Sequence, residues 1–456
     1  MASFICFLNI KSVFELGFGV LDSKALTKIQ SVALITVVVI AAVSGGVTYL
    51  LWKASLPPPE AIRIGICGDL DSPSGRNIYR GALLAVEQIN AEGGILGRNL
   101  TLVSQDDDSA TGGDPVLIVN ALTKLITVDK ADFIISTGIQ TLVQQDVCAE
   151  HKKILITIGT AADEYTQRVL DDYDKYKYYF RVWAPNASSM DVGQIQGLAA
   201  LKNLTGFTKI GYLLPEGDAM REQTIPHLES GLPELGFDLV YRGIFTGQTV
   251  DFSSYFSAAE ESGAEILFTI LASIQRTPSF VKEWYDRQSP MVIWGDLYGA
   301  GDPDFWNITE GKTEYISSRS TPVSAGYYLT TKTMATRDAF LERWGEVRTY
   351  AVASYDAVRF ILSDAIKRAG TIETMAMIRA LESTNVETSM AGRFAFTSSH
   401  DILIGEAGMA TIGEAHMLFS VWQWQGAELV PVFPDKLRID AGVTYRYPSW
   451  NGPWNR

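Results

Sequence analysis

The chain has 456 residues, 47% of them hydrophobic, which is too long for one ordinary domain and enough for at least two buried cores. Its 52 acidic against 38 basic residues leave a net charge of −14, which argues against nucleic acid phosphates and anionic membrane surfaces as partners. Three cysteines exclude a disulfide framework; a Cys67 to Cys148 bridge is open, but two separately buried thiols are the expected state.

Residues 1–21 are apolar and aromatic without clear periodicity and carry no assignment. Lys24 and Lys28 then precede 29–52, a run without a charged residue that ends at Lys53. At about 1.5 Å per residue such a run crosses a hydrocarbon core of roughly 30 Å, with Tyr49 and Trp52 at the far interface. A cleaved signal peptide is the competing reading, because Ala42-Val43-Ser44 offers small residues for processing. The apolar run continues past that point, so a single-pass anchor in the cell membrane is expected. Lys11, Lys24 and Lys28 then make 1–28 a short cytoplasmic N-terminus and put the bulk of the chain on the extracytoplasmic side. Residues 53–60, with Pro57-Pro58-Pro59, read as a stiff linker. Sequons at Asn99, Asn186, Asn203 and Asn307 would be open to glycosylation there.

The stretch from Arg63 to Asp108 reads as strand, loop, helix, strand. Residues 63–67 form a short buried strand, and the loop after it holds Asp69, Asp71, Ser72, Pro73, Ser74 and Gly75. Gly81-Ala82-Leu83-Leu84-Ala85-Val86 with Ile89 has helical spacing, Gly93-Gly94 stops the helix, and 100–103 restarts as a strand. Such a unit builds a parallel sheet whose ligand crevice lies at the strands' carboxyl ends. The Asp106-Asp107-Asp108 run lacks calcium-loop spacing and is read as a solvated strand end.

Ile64-Gly65, Gly81-Ala82, Ala85-Val86, Ile89-Asn90, Gly93-Gly94-Ile95-Leu96-Gly97-Arg98 and Asp106-Asp107, in that order, resemble the opening of the type I solute-binding proteins, the leucine/isoleucine/valine-binding family of ABC importers. The resemblance continues through Val250-Asp251-Phe252-Ser253, Tyr355-Asp356-Ala357-Val358 and Gly392-Arg393-Phe394-Ala395-Phe396, and so covers nearly all of 62–433. It implies an α/β fold of two Rossmann-like lobes with a central cleft, joined by three crossings.

The strand and helix alternation supports that expectation. Strands are predicted at 131–136 and 154–158 with a helix at 142–151 between them, and Phe180-Arg181-Val182-Trp183 leads through Pro185 to a helix near Ser188-Ser189. A second series follows at 209–214, 239–245, 266–271 and 291–294, and 418–424 with 429–433 reads as an antiparallel hairpin around Gln425-Gly426. In the lobes that the resemblance implies, 61–183 with 322–390 makes the first and 184–321 with 391–456 the second.

No catalytic arrangement is present: there is no GxGxxG after a strand, no GxxxxGK, no HExxH and no GxSxG. His151, His227, His400 and His416 are scattered, so neither a metal nor a cofactor is expected. An α/β enzyme such as a dehydrogenase is therefore a poor reading, and a binding crevice is a better one. Such a crevice needs exposed backbone N–H groups at helix starts, hydroxyls, and an acid for an ammonium. The loops Ser136-Thr137-Gly138-Ile139-Gln140-Thr141 and Thr157-Ile158-Gly159-Thr160-Ala161-Ala162 fit the first need, and the resemblance gives Gln140, Thr141, Gly159 and Thr160 the ligand's carboxylate and amino group. Asp296 in Trp294-Gly295-Asp296, after the predicted 291–294 strand, is either the acid that pairs with the ligand's ammonium or a helix-cap or turn acid.

The opening loop is shorter than in amino-acid binders, with Asn77 or Tyr79 as substitutes for its closing aromatic. Ala219-Met220 and Ala272-Ser273 stand where tyrosines are usual, which leaves room for a larger or differently shaped ligand, with Trp294, Tyr298 and Trp306 as candidate apolar walls. The sequence thus reads as an extracytoplasmic substrate-binding protein. It would bind a branched-chain-type amino acid or related small polar solute by hinge closure and present it to an ABC permease. A ligand-sensing ectodomain acting through a separate signalling partner is the alternative.

Overall fold

Alternate isoleucines set the first strand: Ile62, Ile64 and Ile66 are all fully buried in β1 (Ile62–Cys67). The chain then turns on Asp69, whose Oδ1 accepts from the backbone N–H groups of Asp71 and Ser72 at 3.0 and 2.9 Å. Ser72 caps the following helix, Pro73–Ala91, by accepting from Gly75 N at 3.1 Å, and Pro73 occupies its first turn. Ile78, Ala82, Ala85 and Ile89 recur at helical spacing and form its buried face. Gly94, at φ +77°, ends it, and a Cβ there would lie 2.1 Å from the Arg98 carbonyl oxygen.

The computed structural model describes residues 36–44, 59–108, 113–216, 219–271, 273, 275–405 and 416–455. The chain forms two units, Met1–Pro59 and Glu60–Arg456. In the first, residues 36–44 are helical, and Val37, Val38, Ile40 and Val43 are exposed. The remainder of the predicted 29–52 anchor, the predicted cytoplasmic 1–28 and linker residues 53–58 lie outside the described residues. Among the described residues no helix is long and apolar enough to cross a membrane.

The second unit carries two large sheets. β2 (Leu100–Gln105), β3 (Phe133–Ser136), β4 (Ile154–Ile158) and β5 (Tyr179–Trp183) join β1 in a parallel sheet of order β2-β1-β3-β4-β5. Its three inner and last strands are buried on both faces because helices cover both sides. After β5 the chain leaves through the Ala187–Thr205 helix, capped by Asn186, whose Oδ1 accepts from Ser189 N at 2.7 Å.

It then builds β6 (Lys209–Pro215), β7 (Asp238–Phe245), β8 (Ile266–Leu271), β9 (Val292–Leu297) and β10 (Ser317–Arg319), all parallel. The chain next returns to the first sheet, where the Thr349–Asp356 helix lies against the Pro73–Ala91 helix. β11 (Asn385–Glu387) and β12 (Arg393–Ala395) pair with each other. Phe396 and His400 then pack on Phe180 of β5. The last passage delivers β13 (Val421–Gln425) and β14 (Glu428–Phe433), an antiparallel hairpin that completes a mixed seven-stranded sheet of order β14-β13-β10-β9-β8-β6-β7. The hairpin and the glycine stop of the first helix lie where the sequence places them, and Asp251-Phe252 opens the Ser253–Glu261 helix.

Cys67 and Cys148 are free, buried thiols; Cys6 lies outside the described residues. The acidic run 106–108 follows the end of β2 with Asp106 and Asp108 exposed, as read, but Asp107 is 1% exposed and accepts from the Cys67 thiol at 3.4 Å. Of the sequons, Asn186 is half-buried and spends its amide on Asp401 at 2.7 Å, whereas Asn99, Asn203 and Asn307 are exposed.

Candidate functional site

Parallel strands point their carboxyl ends the same way, so the loops after β1, β3 and β5 converge with those after β8, β9 and β10. They enclose a cavity of about 410 Å³, within the range of roughly 300–1,000 Å³ usual for small-molecule sites. The first sheet's side supplies Ser72, Asn77, Thr137 and Trp183 together with Tyr350. The second sheet's side supplies Ser273, Asp296, Tyr298, Arg319 and Ser320.

Two hydroxyls in this lining are orphaned. Thr137 is 5% exposed, and neither its Oγ1 nor the Oγ of Ser320 has a hydrogen-bond partner. Buried hydroxyls are almost always paired, because losing water without gaining a partner costs about 1–3 kcal/mol. One orphan stands on each side of the cavity, both covered by neighbouring atoms in this structure, so a bound molecule can satisfy both only once the lining loops move.

Four of the five charged side chains in the lining are paired, Asp296 with Arg319 and Asp302 with Arg348, whereas Arg276 donates to the carbonyls of Thr246 and Gly247 at 3.3 and 3.0 Å. Asp296 corrects the expectation that it follows its strand: it lies within β9, opposite Ile270 of β8. Its Oδ2 accepts from Arg319 Nε at 2.9 Å and Nη2 at 2.8 Å, with the two side chains only 7% and 11% exposed. Burial works against the charge on Arg319, but Asp296 and Tyr298 outweigh it and hold the guanidinium's pKa above its usual value. The same guanidinium lies 5.4 Å from the Trp183 ring centre. Burial pushes the nearby Tyr350 hydroxyl up to about 12, so it is neutral at physiological pH.

Arg348 ties the two sides together. From the start of the Thr349–Asp356 helix it donates to Asp302 at 2.7 Å, to both oxygens of Asp304 at 2.9 and 2.7 Å, and to Glu346 at 3.0 and 2.9 Å. Asp302 and Asp304 follow β9, so the fork spans from the first sheet's helices to the second sheet's loop.

Burial raises the Asp302 carboxyl to about 6, against the pull of Arg348. An acid that keeps its proton to about 6 when folded but releases it near 3.8 when unfolded binds more protons in the folded state between those values. Its contribution to stability therefore falls as pH rises through that window. Asp302→Asn is expected to remove a decline on the order of 1–3 kcal/mol between about pH 4 and 6, read by urea unfolding of both proteins across that range; identical pH profiles would refute it.

Of the residues singled out in the sequence, Asp296 lines the cavity and the other four do not. Gln140 is exposed, in the left-handed region at φ 55°. Thr141 is fully buried, where its hydroxyl meets Gly138 O and, at 3.3 Å, Thr160 Oγ1, so these two threonines brace the loops after β3 and β4 against each other. Gly159, at φ +110°, backs onto the lining: a Cβ there would lie 2.9 Å from Thr137 O and 3.3 Å from the Tyr350 hydroxyl. Thr137, Arg319, Ser320 and Tyr350 were missed. Thr137 stands in the right loop three positions before Gln140; Ser318-Arg319-Ser320, running off the end of β10, carries no local signal of a site. Asn77 lines the cavity, whereas Tyr79 packs into the core. Tyr298 is a wall, Trp294 is buried with its Nε1 donating to Gln194 at 3.0 Å, and Trp306 packs on Trp424. Among the described residues no group of histidine, cysteine or acidic side chains could hold a metal ion.

The periplasmic binding protein family profile matches residues 61–415. A Leu/Ile/Val-binding protein homolog 7 from Brucella abortus (strain 2308) is 24% identical over 85% of this chain and 95% of its own length. A protein from Silicibacter pomeroyi, solved as a branched-chain amino acid ABC transporter component, superposes with a TM-score of 0.72 at 18% identity, over 86% of this chain and all of the other. The solute-binding protein of an ABC transporter from R. palustris, solved in complex with benzoate, superposes with a TM-score of 0.62 at 16% identity, over 82% of this chain and 95% of the other. With its two α/β sheets and the cavity at their carboxyl ends, the chain belongs to the periplasmic binding protein family, as a type I member related to the leucine/isoleucine/valine-binding proteins.

Proposed function

We propose that this protein is the extracytoplasmic substrate-binding protein of an ABC importer and takes a small carboxylate-bearing solute, about the size of a branched-chain amino acid, into the cavity between the two sheets. The observation that carries the reading is the pair of orphaned hydroxyls, Thr137 and Ser320, one on each side of that cavity. A ligand that satisfies both contacts both sides and so favours the closed arrangement over an open one, which is what hinge closure requires. The names of the relatives and neighbours support the class, since leucine, isoleucine, valine and benzoate all carry a carboxylate. The closed form would then be presented to a permease.

In this reading Asp296 and Arg319 form the charged floor. Thr141, Gly159 and Thr160 act one layer back, holding Thr137 and Tyr350 in place, and Gln140 lies outside the site. The lobes are 61–183 with 322–390 and 184–321 with 391–456 as the sequence suggests, and the packing of Phe396 and His400 on Phe180 of β5 supports carrying the first lobe on to at least His400. The uncharged apolar sequence of residues 29–52 is what supports a membrane anchor there.

Titration calorimetry of the protein with leucine, isoleucine, valine and carboxylates of similar size tests the proposal. Thr137→Ala should weaken whichever ligand binds by about tenfold or more, since a hydrogen bond to a charged group contributes about 1.5–3 kcal/mol. No heat from any of them, or an unchanged affinity in the variant, would sink this assignment.

A further inference from the structure

A free amino acid brings an ammonium into the cavity as well as a carboxylate, and a buried ammonium needs an acid or several acceptors. Two acids line this cavity, and both are engaged. Asp296 accepts two hydrogen bonds from Arg319 through one oxygen, and Asp302 is held by Arg348 at 2.7 Å. An ammonium drawn to Asp296 would stand within a few ångströms of the Arg319 guanidinium, and two like charges at such a distance repel strongly in a site that excludes water. Freeing Asp296 instead would leave Arg319 buried and unpaired.

A carboxylate without an ammonium meets the opposite conditions. Arg276, which lines the cavity and has no acid partner among the described residues, attracts it, and the Thr137 and Ser320 hydroxyls have no protein partner to give up when the lining loops move to meet it. Tyr350 keeps its proton and offers a third donor, and Trp183, Leu297 and Tyr298 supply an apolar wall for its body. Resting on the reading of this cavity as a carboxylate site, we propose that the protein selects monocarboxylates with an apolar body and no amino group, and that the Asp296–Arg319 pair is the device that rejects free amino acids. Specificity then comes as much from what the site repels as from what it holds.

The test compares matched pairs that differ only by the amine, namely leucine with isocaproate, valine with isovalerate and phenylalanine with hydrocinnamate, by calorimetry on the full-length protein at neutral pH. The expected result is that the unaminated acid of at least one pair binds about tenfold tighter or more, given the like-charge repulsion of a few ångströms' separation. Equal or tighter binding of the amino acids overturns this inference and leaves the carboxylate site standing. Silence from both members of every pair overturns both. Arg319→Gln keeps a donor to Asp296 while removing the charge, and should shrink or reverse the preference; an unchanged preference would remove Arg319 from the selecting role. If that variant does not fold, the matched pairs on the unaltered protein still decide.

Discussion

Replacing Arg181 by methionine is expected to destabilise the protein by about 3–5 kcal/mol, the cost of leaving a buried charge without its partner. Arg181 lies in β5 with no exposed side-chain surface, and Asp401 is 2% exposed; their Nε and Oδ1 stand 3.0 Å apart. The guanidinium also donates to Thr160 O at 3.3 Å, Ala162 O at 3.0 Å and Thr166 Oγ1 at 3.0 Å. One side chain thus ties the loop after β4 to the strand and, through Asp401, to the segment on its way to the second sheet. Burial raises the Asp401 carboxyl above its ordinary range, and Arg181 is the strongest influence pulling it back. Without Arg181 that acid should hold its proton to higher pH, so the variant's deficit should narrow on acidification. Urea unfolding near pH 7 and near pH 5 measures both effects. Adding Asp401→Leu should recover much of the loss, because a buried pair is replaceable by apolar groups more cheaply than it is broken. A single-variant cost below about 1 kcal/mol would show that water reaches the pair and screens it.

Gly81→Ala should destabilise by about 3 kcal/mol, the upper end of what one extra methyl costs in a filled interface. The Pro73–Ala91 and Thr349–Asp356 helices touch backbone to backbone here: an ideal Cβ at Gly81 would lie 1.9 Å from the Ala351 carbonyl oxygen and 3.0 Å from Ser354 Cβ. Ser354 Oγ donates to Ile78 O at 2.7 Å across the same contact, so the helices cannot part without losing that bond as well. Protein interiors have no slack to absorb such a displacement. Because Arg348 and Tyr350 stand at the start of the second helix, the shift should reach the cavity and lower ligand affinity together with stability. Thermal unfolding and calorimetry on the one variant check the pair of effects. A stable variant with weakened binding, or an unstable one with unaltered binding, would show that the helix contact and the cavity are independent.

The local elements were legible because their causes are local. A short apolar run, small residues at helical spacing and a glycine pair are each read within a few residues of the chain, and β1, the body of the Pro73–Ala91 helix and the terminal hairpin stand where those signals put them, although the helix begins at Pro73, inside the predicted loop, because Ser72 caps it there. The same holds for the family, since its ordered motifs lie in these elements. The site was legible only as far as its loops. The resemblance placed Thr141 in a loop that lines the cavity and Thr160 in the loop beside it, yet the two turn towards each other while Thr137 lines the cavity. Which way a loop residue faces follows from the left-handed backbone at Gly138, Gln140 and Gly159, and composition does not specify it.

Asp296 shows the limit most clearly. Gly295-Asp296 reads locally as the turn after a strand, and only pairing with β8 carries the strand through it. The sequence by itself determined the class of sheet, the order of its elements and the end of the strands at which the cavity lies, because each depends on neighbours in the chain. The charge state of the site was decided by tertiary structure alone: β10 lies beside β9 and brings Arg319 to Asp296 from 23 positions away, and an acid's partner is set by what folding places within 3 Å of it, not by what precedes it in the chain.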